Sequence, residues 1–405
     1  MKRPSHFHPS DLQGVGRLAV EATIGITDLV EALHQGIARV APPLGRPGSG
    51  RTKGITGFVY RTVRQVTGLV GEGLEAVLAR LVPVLEGHRP SAEREAVLAA
   101  LNGVLGDHLE ATGNPLAIAM RLRREGVPLE IGREPLSRAI AGPRRRVAVL
   151  LHGLCMNDLQ WRREGHDHGA LLEREAGVTS LYLHYNTGRH ISANGRDLAA
   201  LLEALVREWP VPLEELVLVG HSLGGLVARS ACHHGIAAGQ AWPARLGALC
   251  FLGTPHFGAP LERGGKWIDL LLGQSPYTAP FGRLSRVRSA GITDLHDGAL
   301  RDEDWAGRDR FARPRPPRSS VPLPAGVACY AMAGTLSRTA RGLRGRLLGD
   351  GLVPVSSALG RHSSRERNLG IPASRQWVGA GVGHLELLSS REAGERLLRW
   401  LSPVP

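Results

Sequence analysis

Three residues sit on glycine-flanked turns where a nucleophile, an acid and a base could act together. Ser222 lies in Gly220-His221-Ser222-Leu223-Gly224, the G-x-S-x-G pattern of a nucleophile elbow. The small neighbours matter because a Cβ beside such a turn would collide with the adjoining strand or helix. A helix start just after the serine favours negative charge developing near its oxygen. The plainer alternative is a glycine-rich turn closing a β–α unit, with Ser222 as an N-cap. An elbow serine alone is inert and needs a base, an orienting acid and donors for an oxyanion. For the acid, Asp350 stands in Gly349-Asp350-Gly351-Leu352-Val353-Pro354, where the plain alternative is an Asp-Gly turn. Asp294, Asp302 and Asp304 are rivals, but no strand precedes them. For the base, His384 in Gly381-Val382-Gly383-His384-Leu385 is the one of the 17 histidines that follows the last strand candidate on such a turn. His233 and His234 fall on the helix after Ser222, and His256 comes too early in the chain.

These turns need elements to carry them. Leu216–Val219 is a short apolar strand entering the serine turn, and Leu223–Gly239 is the helix leaving it. Around them strands at Val147–Leu151, Leu181–Tyr185, Ala248–Leu252, Val327–Ala333 and Gln376–Val378 alternate with helices at Asn194–Trp209 and Ser390–Leu401. Such alternation predicts a doubly wound, mostly parallel sheet covered on both faces. Val127–Ile131 and Leu136–Ile140 are further strand candidates, and Arg144–Arg146 reads as a solvated strand entry. Between about residues 256 and 325 the rhythm lapses. That insertion, with PPII-like Arg313-Pro314-Arg315-Pro316-Pro317-Arg318, reads as a lid above the C-terminal strand ends.

Before this, residues 11–125 read as helical throughout, with three apolar stripes of 3.6 period. The domain division expected is therefore 1–126, a helical segment built as a hairpin of amphipathic helices, and 127–405, the sheet domain. The wide apolar faces of the first two helices suit packing on one another or on the sheet domain; the alternatives are a membrane surface or a second copy in a homo-oligomer. The basic stretch Ser337–Arg346 reads as a solvated loop, with attraction of an anionic head group as its alternative.

The chain has 405 residues and a net charge of +13, carried almost wholly by arginine, since lysine occurs only at positions 2, 53 and 266. Arginine is scattered and no nucleic-acid motif accompanies it, so no nucleic-acid partner is expected. The four cysteines are far apart, without C-x-x-C, and read as buried free thiols rather than a disulfide framework or metal site. The basic N-terminus lacks an apolar signal core, and no run of about 18 apolar residues is present. A cytoplasmic location, peripheral to a membrane at most, is the expectation.

Together, His152-Gly153-Leu154-Cys155-Met156-Asn157-Asp158, Gly220-His221-Ser222-Leu223-Gly224-Gly225, Phe251-Leu252-Gly253-Thr254-Pro255-His256, Asp350-Gly351-Leu352-Val353-Pro354 and Gly383-His384-Leu385 resemble the α/β-hydrolase superfamily. The likeness runs from about residue 127 to 401 and is similar to its lipase and GPI-inositol-deacylase-like branch. The order Ser222, Asp350, His384 is that of α/β-hydrolases, unlike the chymotrypsin or subtilisin orders. The resemblance implies hydrolysis of a carboxylic ester, commonly a lipid, with no metal and no cofactor. It assigns Ser222, His384 and Asp350 as triad, and the N–H groups of Leu154 and Leu223 as oxyanion hole. His152, Gly153, Gly220, His221 and Gly224 would shape the turns. An acyltransferase or thioesterase would use the same triad. A non-catalytic membrane-associated scaffold with a relic fold would be expected to lose Ser222, Asp350 or His384, and none is missing.

Overall fold

The computed structural model describes Gly14, Arg17 and residues 92–258, 289–308, 321–337 and 349–402. The two long apolar stripes before Ser91, most of the lid stretch, the Arg313–Arg318 segment and the basic piece 338–346 lie outside the described residues. The chain divides into two compact units, residues 1–94 with 109–117 and residues 95–108 with 118–405. In the first, Asn114 Nδ2 donates to the Gly14 carbonyl at 3.1 Å.

The second unit holds an eight-stranded sheet in the order β2-β1-β4-β3-β5-β6-β7-β8. Its strands are β1 (Arg121–Arg124), β2 (Val127–Pro128), β3 (Arg146–Leu151), β4 (Thr179–His184), β5 (Glu215–His221), β6 (Leu246–Leu252), β7 (Ala328–Thr335) and β8 (Gln376–Ala380). From β4 to β8 every pairing is parallel, while β1 runs antiparallel to both β2 and β4. Val147 to Leu151 are fully buried without alternation, as a strand covered on both faces must be. Each valine and leucine of this run contributes roughly 1.5–3 kcal/mol by leaving water.

The helices are α1 (Ala92–Ala111), α2 (Arg133–Ala139), α3 (His168–Glu175), α4 (Ile191–Glu208), α5 (Leu223–Ala237), α6 (Ala290–Asp297), α7 (Asp302–Trp305), α8 (Val355–Ala358) and α9 (Arg391–Leu401). Helix α4 buries Ile191, Leu198, Leu202 and Leu205 along one face. Helix α5 is instead buried from Leu223 to Cys232, which suits the central helix packed on the sheet. None of the described helices is long and apolar enough to cross a membrane.

Four sequence expectations need correction. Leu136–Ile140 is not a strand but lies on and just past α2. Pro135 pre-sets a helical φ in its first turn, Glu134 and Arg138 pair four residues apart, and 136 to 140 is helical spacing as well. Residues 121–124 are a sheet strand rather than the end of a helical run, and of Val127–Ile131 only Val127–Pro128 is strand. Finally, Arg146 is not simply solvated. Its Nη1 and Nη2 donate to the Ala176 and Leu401 carbonyls at 2.9 and 2.8 Å, closing the C-terminal ends of α3 and α9, while Nε pairs with Glu215.

Candidate active site

Ser222 stands between β5 and α5 with φ 54° and ψ −121°, a conformation that costs a non-glycine residue about 1–3 kcal/mol. The surrounding packing enforces it. A Cβ on Gly220 would collide with Gly225, and one on Gly224 with the Leu151 carbonyl of the neighbouring strand. Close approach of α5 to β5 and β3 thus fixes the turn, and the Ser222 N–H is tied to the Leu252 carbonyl at 2.8 Å. The serine is buried, and among the described residues its Oγ has no hydrogen-bond partner.

Asp350 and His384 meet on the adjoining loops. His384 Nδ1 lies 2.7 Å from Asp350 Oδ2, and both side chains are 0 % exposed. Oδ1 of the same carboxylate accepts the N–H groups of Leu352 and Val353 at 3.0 and 2.7 Å. The His384 N–H is bonded to the Asp350 carbonyl at 3.0 Å. With Nδ1–H directed at the carboxylate, Nε2 is the basic nitrogen. The loop bearing Asp350 closes on itself where the Leu336 N–H donates to the Gly349 carbonyl at 2.9 Å.

His384 and Asp350 meet beside Gly253, the residue that follows Leu252, the backbone partner of Ser222. A methyl on Gly253 would stand 3.1 Å from His384 Nδ1 and 3.2 Å from Asp350 Oδ2. His221 supplies a second link, its Nε2 lying 3.0 Å from the His384 carbonyl and its ring 4.8 Å from the His384 ring. The rivals are occupied elsewhere. Asp294 accepts from His190 and from the Ile191 N–H at the start of α4. Asp302 accepts from Ser192, and Asp304 pairs with Arg301. His256 contacts the buried guanidinium of Arg229 at 3.3 Å.

The Gly153–Leu154 turn lies against the elbow, since a Cβ on Gly153 would be 3.2 Å from Ser222 Cβ and 3.1 Å from His221 Nδ1. Among the described residues, neither the Leu154 nor the Leu223 N–H has a hydrogen-bond partner. Leu223 begins α5, so no intrahelical acceptor exists for its N–H. The Cys155 N–H donates to Thr187 Oγ1 and the His152 carbonyl accepts the Tyr185 hydroxyl, which pin the turn on both sides. His152 stacks on Tyr185 at 4.5 Å, and burial lowers its pKa to about 3, so it stays neutral.

Behind this turn Glu95, Asp158 and His184 offer ligand atoms within 4.8 Å of one another. Arg123 Nη1 already donates to Glu95 at 2.6 Å and to Asp158 at 3.2 Å, so a guanidinium bridges both carboxylates where a cation would sit. Burial would raise the Asp158 pKa, but the His184 hydrogen bond and the charges of His184 and Arg123 carry it below the usual range. The arrangement is a buried ion-pair network supporting the segment after Leu154. All four cysteines are buried and free, with Cys155 pushed by burial up to about 12.

Sequence reasoning overlooked His166 and His168. The His168 ring reaches the Leu387 carbonyl at 2.8 Å and His166 Nε2 at 2.8 Å. A His-x-His pair carries no motif signal, because its acceptor lies on a segment more than two hundred residues away.

Residues 143–315 match the family model described as PGAP1-like alpha/beta domain. Among solved structures, a Bacillus licheniformis lipase (BlEst2, mature form) is 16 % identical with a TM-score of 0.41, covering 70 % of this chain and 98 % of its own. The Pyrococcus furiosus esterase Pf2001 is 17 % identical with a TM-score of 0.37, covering 64 % and 83 %. Phospholipase PlaB from Legionella pneumophila is 14 % identical with a TM-score of 0.34, covering 53 % and 44 %. No curated protein matches the chain. The mostly parallel sheet with flanking helices is an α/β-hydrolase fold, and over residues 143–315 the chain is similar to the PGAP1-like alpha/beta domain.

Proposed function

We propose that the chain is a serine hydrolase of carboxylic esters, lipid-like ones among them, acting through an acyl-enzyme. The observation that carries this is the buried His384–Asp350 pair at 2.7 Å, joined through His221 Nε2 on the His384 carbonyl to the chain at Ser222, a serine held at positive φ. In this reading His384 Nε2 takes the Ser222 proton as Oγ attacks the ester carbonyl. Asp350 keeps the imidazole in the Nδ1–H tautomer and stabilises the imidazolium. The N–H groups of Leu154 and Leu223 receive the oxyanion, each such donor being worth roughly 3 kcal/mol. His384 returns the proton to the departing alcohol. It then deprotonates a water that attacks the acyl-serine, and hands that proton to Ser222 Oγ as the acid leaves. The lipid-like choice rests on the motif resemblance. An alcohol or thiol acceptor replacing water would make the same machinery an acyltransferase or a thioesterase, and product analysis separates these outcomes.

The test uses a fluorophosphonate probe and a chain-length panel of p-nitrophenyl esters. Wild type should be labelled once per chain and should hydrolyse the panel. Ser222→Ala should do neither, with a rate loss of at least about a thousandfold. Labelling that persists in the variant overturns the assignment.

A further inference from the structure

The turn that carries His384 hangs from two imidazoles on other elements. His221, last residue of β5, has Nε2 3.0 Å from the His384 carbonyl. His168, first residue of α3, has Nε2 2.8 Å from the Leu387 carbonyl, three residues further along the same turn. A carbonyl oxygen only accepts, so both rings must present Nε2–H, and their Nδ1 atoms are then lone-pair acceptors. For His168 that acceptor is satisfied, because His166 Nε2 lies 2.8 Å from its Nδ1. His166 thereby fixes the tautomer that His168 needs. Trp161 is buried between the two supports, 6.3 Å from the His168 ring and 6.4 Å from the His221 ring, both edge-on.

His221 does more than hold one carbonyl. Its backbone leads directly into Ser222, and its Nδ1 would be 3.1 Å from a Cβ on Gly153, beside the turn that presents Leu154. One side chain therefore borders the nucleophile, the base and the expected oxyanion turn. Backbone carbonyls at the two ends of a short turn are the points at which its position can be fixed without touching the reacting imidazole.

We propose that His221 and His168 are positioning residues for the base: each donates Nε2–H to a carbonyl of the His384 turn, and together they set where Nε2 of His384 stands relative to Ser222. This rests on the reading of His384 as the base. In that role the histidines in Gly220-His221-Ser222 and His166-Asp167-His168 are hydrogen-bond donors selected for the tautomer they hold, not spacers.

The experiment compares His221→Met and His221→Gln, with His168→Phe and His168→Gln in parallel. Glutamine places an amide N–H near the histidine Nε2 position, whereas methionine and phenylalanine fill space without donating. The expected result is a fall in kcat of roughly 10- to 100-fold in the Met and Phe variants with KM within about twofold, as misplacement of a catalytic group produces. The Gln variants should recover most of the lost kcat. Hydrogen exchange of the peptide spanning 381–390 should quicken in the Met and Phe variants and return toward wild type in the Gln variants. This exchange reading stands whether or not an ester is turned over, so it separates failure of the positioning role from failure of the hydrolase reading. Unchanged kcat and unchanged exchange in folded His221→Met would overturn the proposal. Gln variants as impaired as Met and Phe would do so too, since ring packing rather than donation would then hold the turn.

Discussion

Lowering the pH is expected to destabilise this protein from just below neutrality, before its carboxylates begin to protonate, because four of its histidines are buried as neutral rings. Burial lowers His152 to about 3 and His168 to about 4 from an ordinary 6.5, and it carries His221 and His256 well below that value. In the unfolded chain each takes a proton near 6.5. Between that value and the folded one, unfolding therefore binds a proton, and stability falls as pH falls. For His168 the window spans 6.5 to about 4 and is worth about 3 kcal/mol; for His152 it spans 6.5 to about 3 and is worth about 5 kcal/mol. Four such sites give a slope approaching about 5 kcal/mol per pH unit once the unfolded rings are fully charged. A domain stabilised by about 5–15 kcal/mol would then lose its stability within roughly three units below neutrality. Asp294 works in the opposite sense: burial raises its pKa, so the folded state takes up that proton first and offsets part of the loss at the acid end. The assay is urea unfolding followed by tryptophan fluorescence at steps between about pH 7 and pH 5. Proton uptake of about three to four per molecule is expected near the acid end, reduced by about one in His168→Gln. An uptake below one proton, or a His168→Gln slope equal to that of wild type, would refute the burial argument.

Asp350→Asn keeps the shape of the acid but can turn the His384 tautomer, so kcat should fall by about 10³–10⁴ with KM little changed; a loss under about tenfold would remove Asp350 from the triad. Gly224→Ala puts a methyl into the Leu151 carbonyl and should lower stability by about 1–3 kcal/mol, read as a drop in the thermal midpoint. Arg123→Met strips Glu95 and Asp158 of their guanidinium and should cost about 3–5 kcal/mol, with Arg123→Met/Glu95→Gln recovering part of it. Equal stability of single and double variants would show that the carboxylates are balanced by other groups.

Much of this arrangement was legible because sheet strands and sharp turns leave local marks. The uninterrupted apolar run at Val147–Leu151 has one explanation, burial on both faces, and β3 bears it out. The glycines around Ser222 announce a close helix–strand approach before any fold is known. What escaped depends on partners distant in the chain. Arg121–Arg124 contains three arginines and little β signal, yet it is a strand because β4 supplies its partner and Glu95, Asp158 and Glu173 receive its guanidinium groups. Leu136 and Ile140 serve helix or strand patterns equally, and Pro135 decides for the helix. His168 acts on Leu387 through tertiary contact alone, which periodicity cannot reveal.

The single hydrogen bond from the Leu336 N–H to the Gly349 carbonyl has an evolutionary consequence. It works like a clasp, because it holds the backbone at Leu336 beside Gly349, the residue before Asp350, and so keeps the carboxylate in register. A substitution at Leu336 or Gly349 therefore reaches the Asp350–His384 pair through the backbone, so drift at these two positions is tied to drift at that pair.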